Sequence, residues 1–193
     1  MQASVSEDRQ NYLGGSDLPI IMGISPFKTY YQLLKEKAGL EEIVQVENEY
    51  IDYGNLMEPK IRDYINKLRK TDFKEDKKTI GHIRCHTDGF NGEEILEIKT
   101  TSKTHKKLST YKNYLVQLLF YMMNYNLKKG LLAIYKRPKD FDEELDSERL
   151  TIYEVDIDDF QDLCIEINQA VDKYFIDKKR LEENVLLGEE DFN

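Results

Sequence analysis

Thr87-Asp88-Gly89-Phe90-Asn91-Gly92-Glu93-Glu94-Ile95-Leu96-Glu97-Ile98-Lys99-Thr100 is the stretch on which the fold turns. Asn91-Gly92 is a strong hairpin signal, and the short apolar segments around it (Ile80, Ile83 and Phe90, then Ile95, Leu96 and Ile98) read as a β-hairpin over 79–100. Alternate residues of a strand share a face, so Leu96 and Ile98 turn to the core while Glu97 and Lys99 project together. With Asn91-Gly92 as a two-residue turn, Phe90 lies opposite Glu93, Asp88 opposite Ile95 and His86 opposite Glu97. Asp88, Glu97 and Lys99 then share one face.

In that register Asp88 and Glu97 are diagonal neighbours with room for one divalent cation between their oxygens, and the Ile98 carbonyl offers a further ligand. Hard oxygen donors select Mg²⁺ or Mn²⁺ over zinc, and such an ion activates water and neutralises charge on a phosphoryl oxygen. Lys99 would position the water and stabilise the pentacovalent phosphate. The competing account is a surface hairpin with an ion pair, since Glu-x-Lys alone is common by chance. His82, Cys85 and His86 crowd one strand with alternating faces and have no distant Cys or His pair to complete them, which disfavours zinc.

Outward from the hairpin, Ser16 or Asp17 caps a short helix to about Met22, broken by Ser25-Pro26-Phe27. A second helix spans Thr29 to Ala38 and stops at Gly39; Gly54 introduces a third from about Asn55 to Leu68. On the other side, Thr110 to Asn124 is apolar nearly all round and reads as a covered helix across the sheet. Leu131–Tyr135 and Leu150–Asp156 read as strands, and Asp158 to Leu181 as a long amphipathic helix. The order predicts an α/β or α+β fold, one mixed sheet with helices around it, and a single domain over 1–193.

No apolar run approaches the length of a membrane span, and Met1 to Gln10 lack the apolar region of a secretory signal, so a cytoplasmic protein is expected. Cys85 and Cys164 are too few for a disulfide framework, an iron–sulfur cluster or a zinc ribbon. A net charge of −9 argues against a general nucleic-acid coat protein. Charge is nonetheless segregated. The C-terminus is acidic, which reads as a solvated tail or a partner-docking one, while Lys99, Lys103, Lys106, Lys107 and Lys112 cluster around His105. That run is either a solvated face or, directly after the proposed metal strand, a track for a DNA backbone.

Two helical positions join the constellation. Glu58, four before Arg62, is either a solvated helix charge or a further ligand for metal or water. Gln117 and Tyr121 share a helical face in an apolar helix; the glutamine is either a core amide bonded to backbone or a group that orients the metal ligands or a DNA phosphate.

Gly14-Gly15-Ser16-Asp17, Gly23-Ile24-Ser25-Pro26-Phe27, Gly54-Asn55-Leu56-Met57-Glu58-Pro59, Thr87-Asp88-Gly89-Phe90, Glu97-Ile98-Lys99 and Gln117-x-x-x-Tyr121, in this order, resemble the YqaJ-type viral recombinase family, a lambda-exonuclease-like group of PD-(D/E)xK nucleases. The resemblance spans about Arg9 to Tyr125. It implies a restriction-endonuclease-like core, with Mg²⁺ on Asp88, Glu97 and the Ile98 carbonyl, Lys99 as catalytic lysine and Glu58 as the family's helical acid. Arg9 and Ser16 match positions that handle the DNA 5′ end, and Gln117 and Tyr121 match the family's glutamine motif. The implied activity is 5′-to-3′ digestion of linear double-stranded DNA, leaving 3′ overhangs for a single-strand annealing protein, by a phage or prophage enzyme assembled as a ring-shaped homotrimer. An endonuclease or single-strand nuclease on the same core, and a non-catalytic module that binds DNA ends, are the alternatives.

Overall fold

The computed structural model describes residues 8–44, 47–105 and 107–192. In chain order its elements are β1 (Leu13–Gly14), α1 (Leu18–Ile21), α2 (Tyr30–Lys37), α3 (Glu49–Arg69), β2 (Lys74–Ile80), β3 (Ile83–Phe90), β4 (Glu94–Thr101), α4 (Lys112–Tyr125), β5 (Lys129–Lys136), β6 (Leu150–Asp156) and α5 (Gln161–Glu183). This is the mixed sheet with flanking helices that the sequence predicts, a restriction-endonuclease-like fold.

β4 and β5 are parallel and joined by α4, while β6 returns antiparallel to β5. α3 covers one face, where Tyr53, Met57, Ile61 and Ile65 pack on Leu96, Ile98, Leu131 and Ala133. On the other face α1, α2, α4 and α5 enclose Ile95, Leu132, Ile134 and Val155. Covering both faces explains why β5 is buried from Gly130 to Tyr135 and why its sequence is a continuous apolar run without alternation.

Three boundaries differ from the sequence reading. β2, Lys-Glu-Asp-Lys-Lys-Thr-Ile, is not legible as a strand, because at the sheet edge it pairs only with β3 and charged residues keep such an edge soluble. α3 begins at Glu49 and not after Gly54, capped by the Asn48 side chain, which accepts from the Tyr50 and Ile51 amides. Gly54 lies inside this helix for another reason: a β-carbon there would meet Thr100 Oγ1 at 3.3 Å, so its absence seats α3 close on β4. The long C-terminal helix starts at Gln161, after a 3₁₀ turn over Ile157–Phe160 capped by Asp156.

The hairpin register also differs. Phe90 pairs with Ile95 and Gly89 with Leu96, because Asn91 Oδ1 accepts from the amides of both Glu93 and Glu94 and closes a wider turn than two residues. Asp88 is therefore not opposite Ile95, nor His86 opposite Glu97. The slip is two residues, so Glu97 and Lys99 keep the face predicted for them. His86 instead pairs with Lys77 of β2.

Candidate active site

β2 lines one edge of β3 from end to end, so β1 and β4 share the other. β1 takes Ile83 and Arg84, β4 takes Gly89 and Phe90, and the edge between them is open. Within this opening β3 carries an extra residue: Lys74 and Asp76 of β2 pair with Phe90 and Thr87, so a single β2 residue faces both Asp88 and Gly89. A bulge of this kind re-aims a side chain. Here Asp88 Oδ2 accepts the Ile98 amide of β4 at 2.7 Å, which ties the two strands together where ladder pairing has ended.

Glu97 and Lys99 project to the α4 side. Glu97 is fully buried, and neither of its carboxylate oxygens has an aligned hydrogen-bond donor. Lys99 Nζ stands 2.6 Å from Oε1 and compensates the charge. Burial pushes the Glu97 carboxyl up to about 8, the negative charge of Asp88 adding to the effect and Lys99 opposing it. Burial likewise raises Asp88 against the pull of Lys99 and the Ile98 amide, and lifts Glu58 to about 7 with help from Asp88. Burial alone would lower Lys99, but Glu97 and Asp88 hold it above the usual lysine range. Three carboxylates and one lysine are thus electrically coupled.

Glu58, Asp88, Ile98 and Lys99 line one cleft of about 320 Å³ together with Tyr50 and Arg137. Arg62 fixes its acidic wall, donating to Glu58 Oε1 at 3.0 Å, to the Asp88 carbonyl at 2.5 Å and to Glu75 Oε1 at 2.8 Å. Among the described residues no group of three His, Cys, Asp or Glu side chains stands ready to hold a metal ion. The donor chemistry nevertheless fits one. A dry carboxylate with Lys99 at one oxygen and no donor at the other, an adjacent aspartate and a backbone carbonyl are hard oxygens in a setting that favours positive charge.

A second cavity, about 360 Å³, is lined by Arg9, Ser16, Lys37, Arg84, His86, Gln117 and Tyr121 among others. α4 presents Gln117 and Tyr121 into it, with Gln117 Nε2 donating to the Tyr121 hydroxyl at 3.2 Å. Gln117 makes no hydrogen bond to Asp88 or Glu97. Gly15 allows this packing: a β-carbon there would stand 2.6 Å from the Tyr121 ring. Buried Lys37 anchors the segment that carries Arg9, bonding the Tyr12 carbonyl at 2.7 Å, the Arg9 carbonyl at 3.3 Å and Asp17 Oδ2 at 2.7 Å. The cavity adjoins the acidic group, since His86 is two residues before Asp88 and the Tyr121 hydroxyl is raised first by burial and then by the charges of Glu97 and Asp88.

The structure therefore brings Glu58, Asp88, Ile98 and Lys99 together with Glu97 behind them, and Arg9 and Ser16 together with Gln117 and Tyr121. Lys103 and Lys107 are exposed beyond β4 and line neither cavity; Lys106 lies outside the described residues. His82, Cys85 and His86 diverge: His82 packs near Phe175, Cys85 is buried and His86 faces the second cavity. Sequence reasoning missed Lys37, Arg84, Tyr50 and Arg137, which gain their positions only from tertiary packing. Arg137 had one available signal: it directly follows β5, and ligands gather beyond the C-terminal ends of parallel strands.

Residues 6–124 match the YqaJ-like viral recombinase domain, more than half of the chain, and the protein belongs to that family. Among solved structures it is similar to the alkaline exonuclease from Laribacter hongkongensis (TM-score 0.67, 19% identity, 92% of each chain covered), which has also been solved in complex with dAMP. It is similar too to a phage-related exonuclease from Haemophilus somnus 129PT (TM-score 0.64, 17% identity, 89% of this chain and 96% of that one). No curated protein matches the chain.

Proposed function

We propose that this protein is a divalent-metal-dependent DNA exonuclease that digests linear double-stranded DNA from its 5′ ends and leaves 3′ single strands for an annealing protein. One observation carries the reading: a fully buried glutamate compensated only by the Lys99 ammonium at Oε1, beside an aspartate and an open strand edge. Burying a carboxylate this way is costly unless a cation completes the site. Membership of a viral recombinase family, and a fold shared with two proteins named as exonucleases, agree with it.

Asp88, Glu97 and the Ile98 carbonyl would hold Mg²⁺, with Mn²⁺ substituting, and Glu58 would contribute through the ion or through a water. The ion would supply Lewis-acid charge that acidifies water and neutralises a phosphoryl oxygen. Lys99 orients the attacking water and balances the added negative charge on the phosphate. The water oxygen bonds to phosphorus as the bond to the 3′ oxygen of the terminal nucleotide breaks, releasing a mononucleotide. Arg9 and Ser16, with Gln117 and Tyr121 in the same cavity, would seat the 5′-terminal phosphate. Lys103, Lys106 and Lys107 would follow the duplex backbone.

We further propose that the chain acts as one domain in the cytoplasm of a bacterial host, encoded by a phage or prophage and assembling as a ring trimer; no helix among the described residues is long and apolar enough to cross a membrane. Release of acid-soluble nucleotide from linear duplex tests the catalytic reading. Mg²⁺-dependent release that is lost with EDTA and in Glu97→Gln is expected; release that persists with EDTA would reject it.

A further inference from the structure

Beyond the C-terminal ends of β4 and β5 lies a groove of about 690 Å³ that no step above uses. Tyr50, Lys136, Arg137, Lys139, Phe141 and Arg149 line it, four cations against the one carboxylate of Asp140, on a protein whose net charge is −9. It runs into the acidic cleft, because Tyr50 and Arg137 line both.

Its aromatic wall is built with care. The Tyr50 and Phe141 rings stack at 5.7 Å with 28° between their planes, and Tyr53 meets Phe141 edge-on at 5.5 Å. The Arg137 guanidinium lies 4.3 Å from the Tyr50 ring centre and 5.3 Å from that of Phe141. Phe141 holds φ +56°, a backbone conformation that a bulky residue rarely adopts, so the surrounding contacts must impose it. The Tyr53 hydroxyl donates to the Asp142 carbonyl at 2.7 Å and the Tyr135 hydroxyl accepts the Asp146 amide at 3.1 Å, fixing the loop that presents Phe141. Tyr50 remains half exposed. Arg149 is engaged by Asp146 at 3.2 Å, but Lys136 and Lys139 are exposed toward solvent.

We infer that this groove binds single-stranded DNA and guides an unpaired strand to or from the acidic cleft, an inference that rests on the nuclease reading for its direction but not for its ligand. Cations spaced along a groove neutralise phosphates, and the half-exposed Tyr50 ring, backed by Phe141, offers a surface on which a base can stack. Duplex DNA hides its base faces, so the aromatic wall favours a single strand over a duplex.

The test is equilibrium binding of a fluorescent single-stranded oligonucleotide in EDTA, followed by anisotropy across a salt series. Arg137→Gln with Lys139→Gln should weaken binding at least fivefold and flatten the salt dependence, the exponent falling by about 1.4 if two phosphates lose their partners. Lys67→Gln with Lys179→Gln, exposed positions elsewhere, should leave binding as it was. An oligonucleotide carrying a photoreactive uracil should crosslink to the peptides containing Tyr50 and Phe141 in the unmodified protein, a readout independent of how the variants fold. Unchanged binding in the groove variant, crosslinks confined to other surfaces, or an equal loss of affinity for heparin would each overturn the inference. Groove-dependent binding in a protein that cleaves no DNA would reject the nuclease reading and sustain the groove; intact cleavage with groove-independent binding would do the reverse.

Discussion

Replacing Glu97 with glutamine should flatten the pH dependence of stability in the metal-free protein. The unfolded chain holds this carboxyl near its ordinary 4.5, whereas burial and Asp88 push it up to about 8 in the fold. A folded-state pKa above the unfolded one means that the native protein binds the proton more tightly. Its stabilising contribution is complete below about pH 4.5 and is lost as pH rises through 8. Since each tenfold difference is worth ~1.4 kcal/mol, full ionisation of Glu97 costs the fold on the order of 5 kcal/mol. Urea denaturation in EDTA between pH 5.5 and 9 should therefore show wild-type stability falling by several kcal/mol. Glu97→Gln keeps the shape without the charge and should fall less steeply, by only the part that buried Glu58 and Asp88 contribute, hence be more stable than wild type at pH 9. Adding Mg²⁺ at pH 9 should restore wild type and leave the variant unmoved. A wild-type protein equally stable at both ends of the range, or a variant with the same slope, would refute the claim that Glu97 is a buried charge awaiting a cation.

Other perturbations address the remaining roles. Lys99→Ala should fold and bind Mg²⁺ but lose about a hundredfold or more of its cleavage rate, as expected for a group that stabilises charge in the transition state, measured by single-turnover release from labelled duplex. Arg9→Ala should narrow the preference for 5′-phosphate over 5′-hydroxyl ends, read by competition between the two substrates. Lys37→Met leaves Asp17 buried without its partner and should destabilise the protein by roughly 3–5 kcal/mol in chemical denaturation, with 5′-end preference weakening in whatever remains folded.

How much of this was legible depends on the interactions involved. The parity of Glu97 and Lys99 survived a register error because strand faces repeat every two residues and the slip was also two. The bulge at Asp88 was not legible, since it arises from the tertiary competition of β1, β2 and β4 for one strand. β2 was hidden by its edge position, which rewards charge over apolar alternation. Glu58, Gln117 and Tyr121 could be placed on helix faces from their spacing, yet only packing reveals that Glu58 joins the acidic cleft while the Gln117–Tyr121 pair faces a basic cavity. Arg9 entered through family resemblance, and its structural support, the buried Lys37, carries no sequence signal of its own.

The most direct test of the catalytic account is release of label from linear duplex DNA marked separately at the 5′ and 3′ ends, with Mg²⁺ or EDTA, beside a closed circle. Mg²⁺-dependent loss from 5′ ends with circles intact is the predicted result. Cleaved circles, or tight binding to ends with no cleavage under any divalent ion, would contradict it.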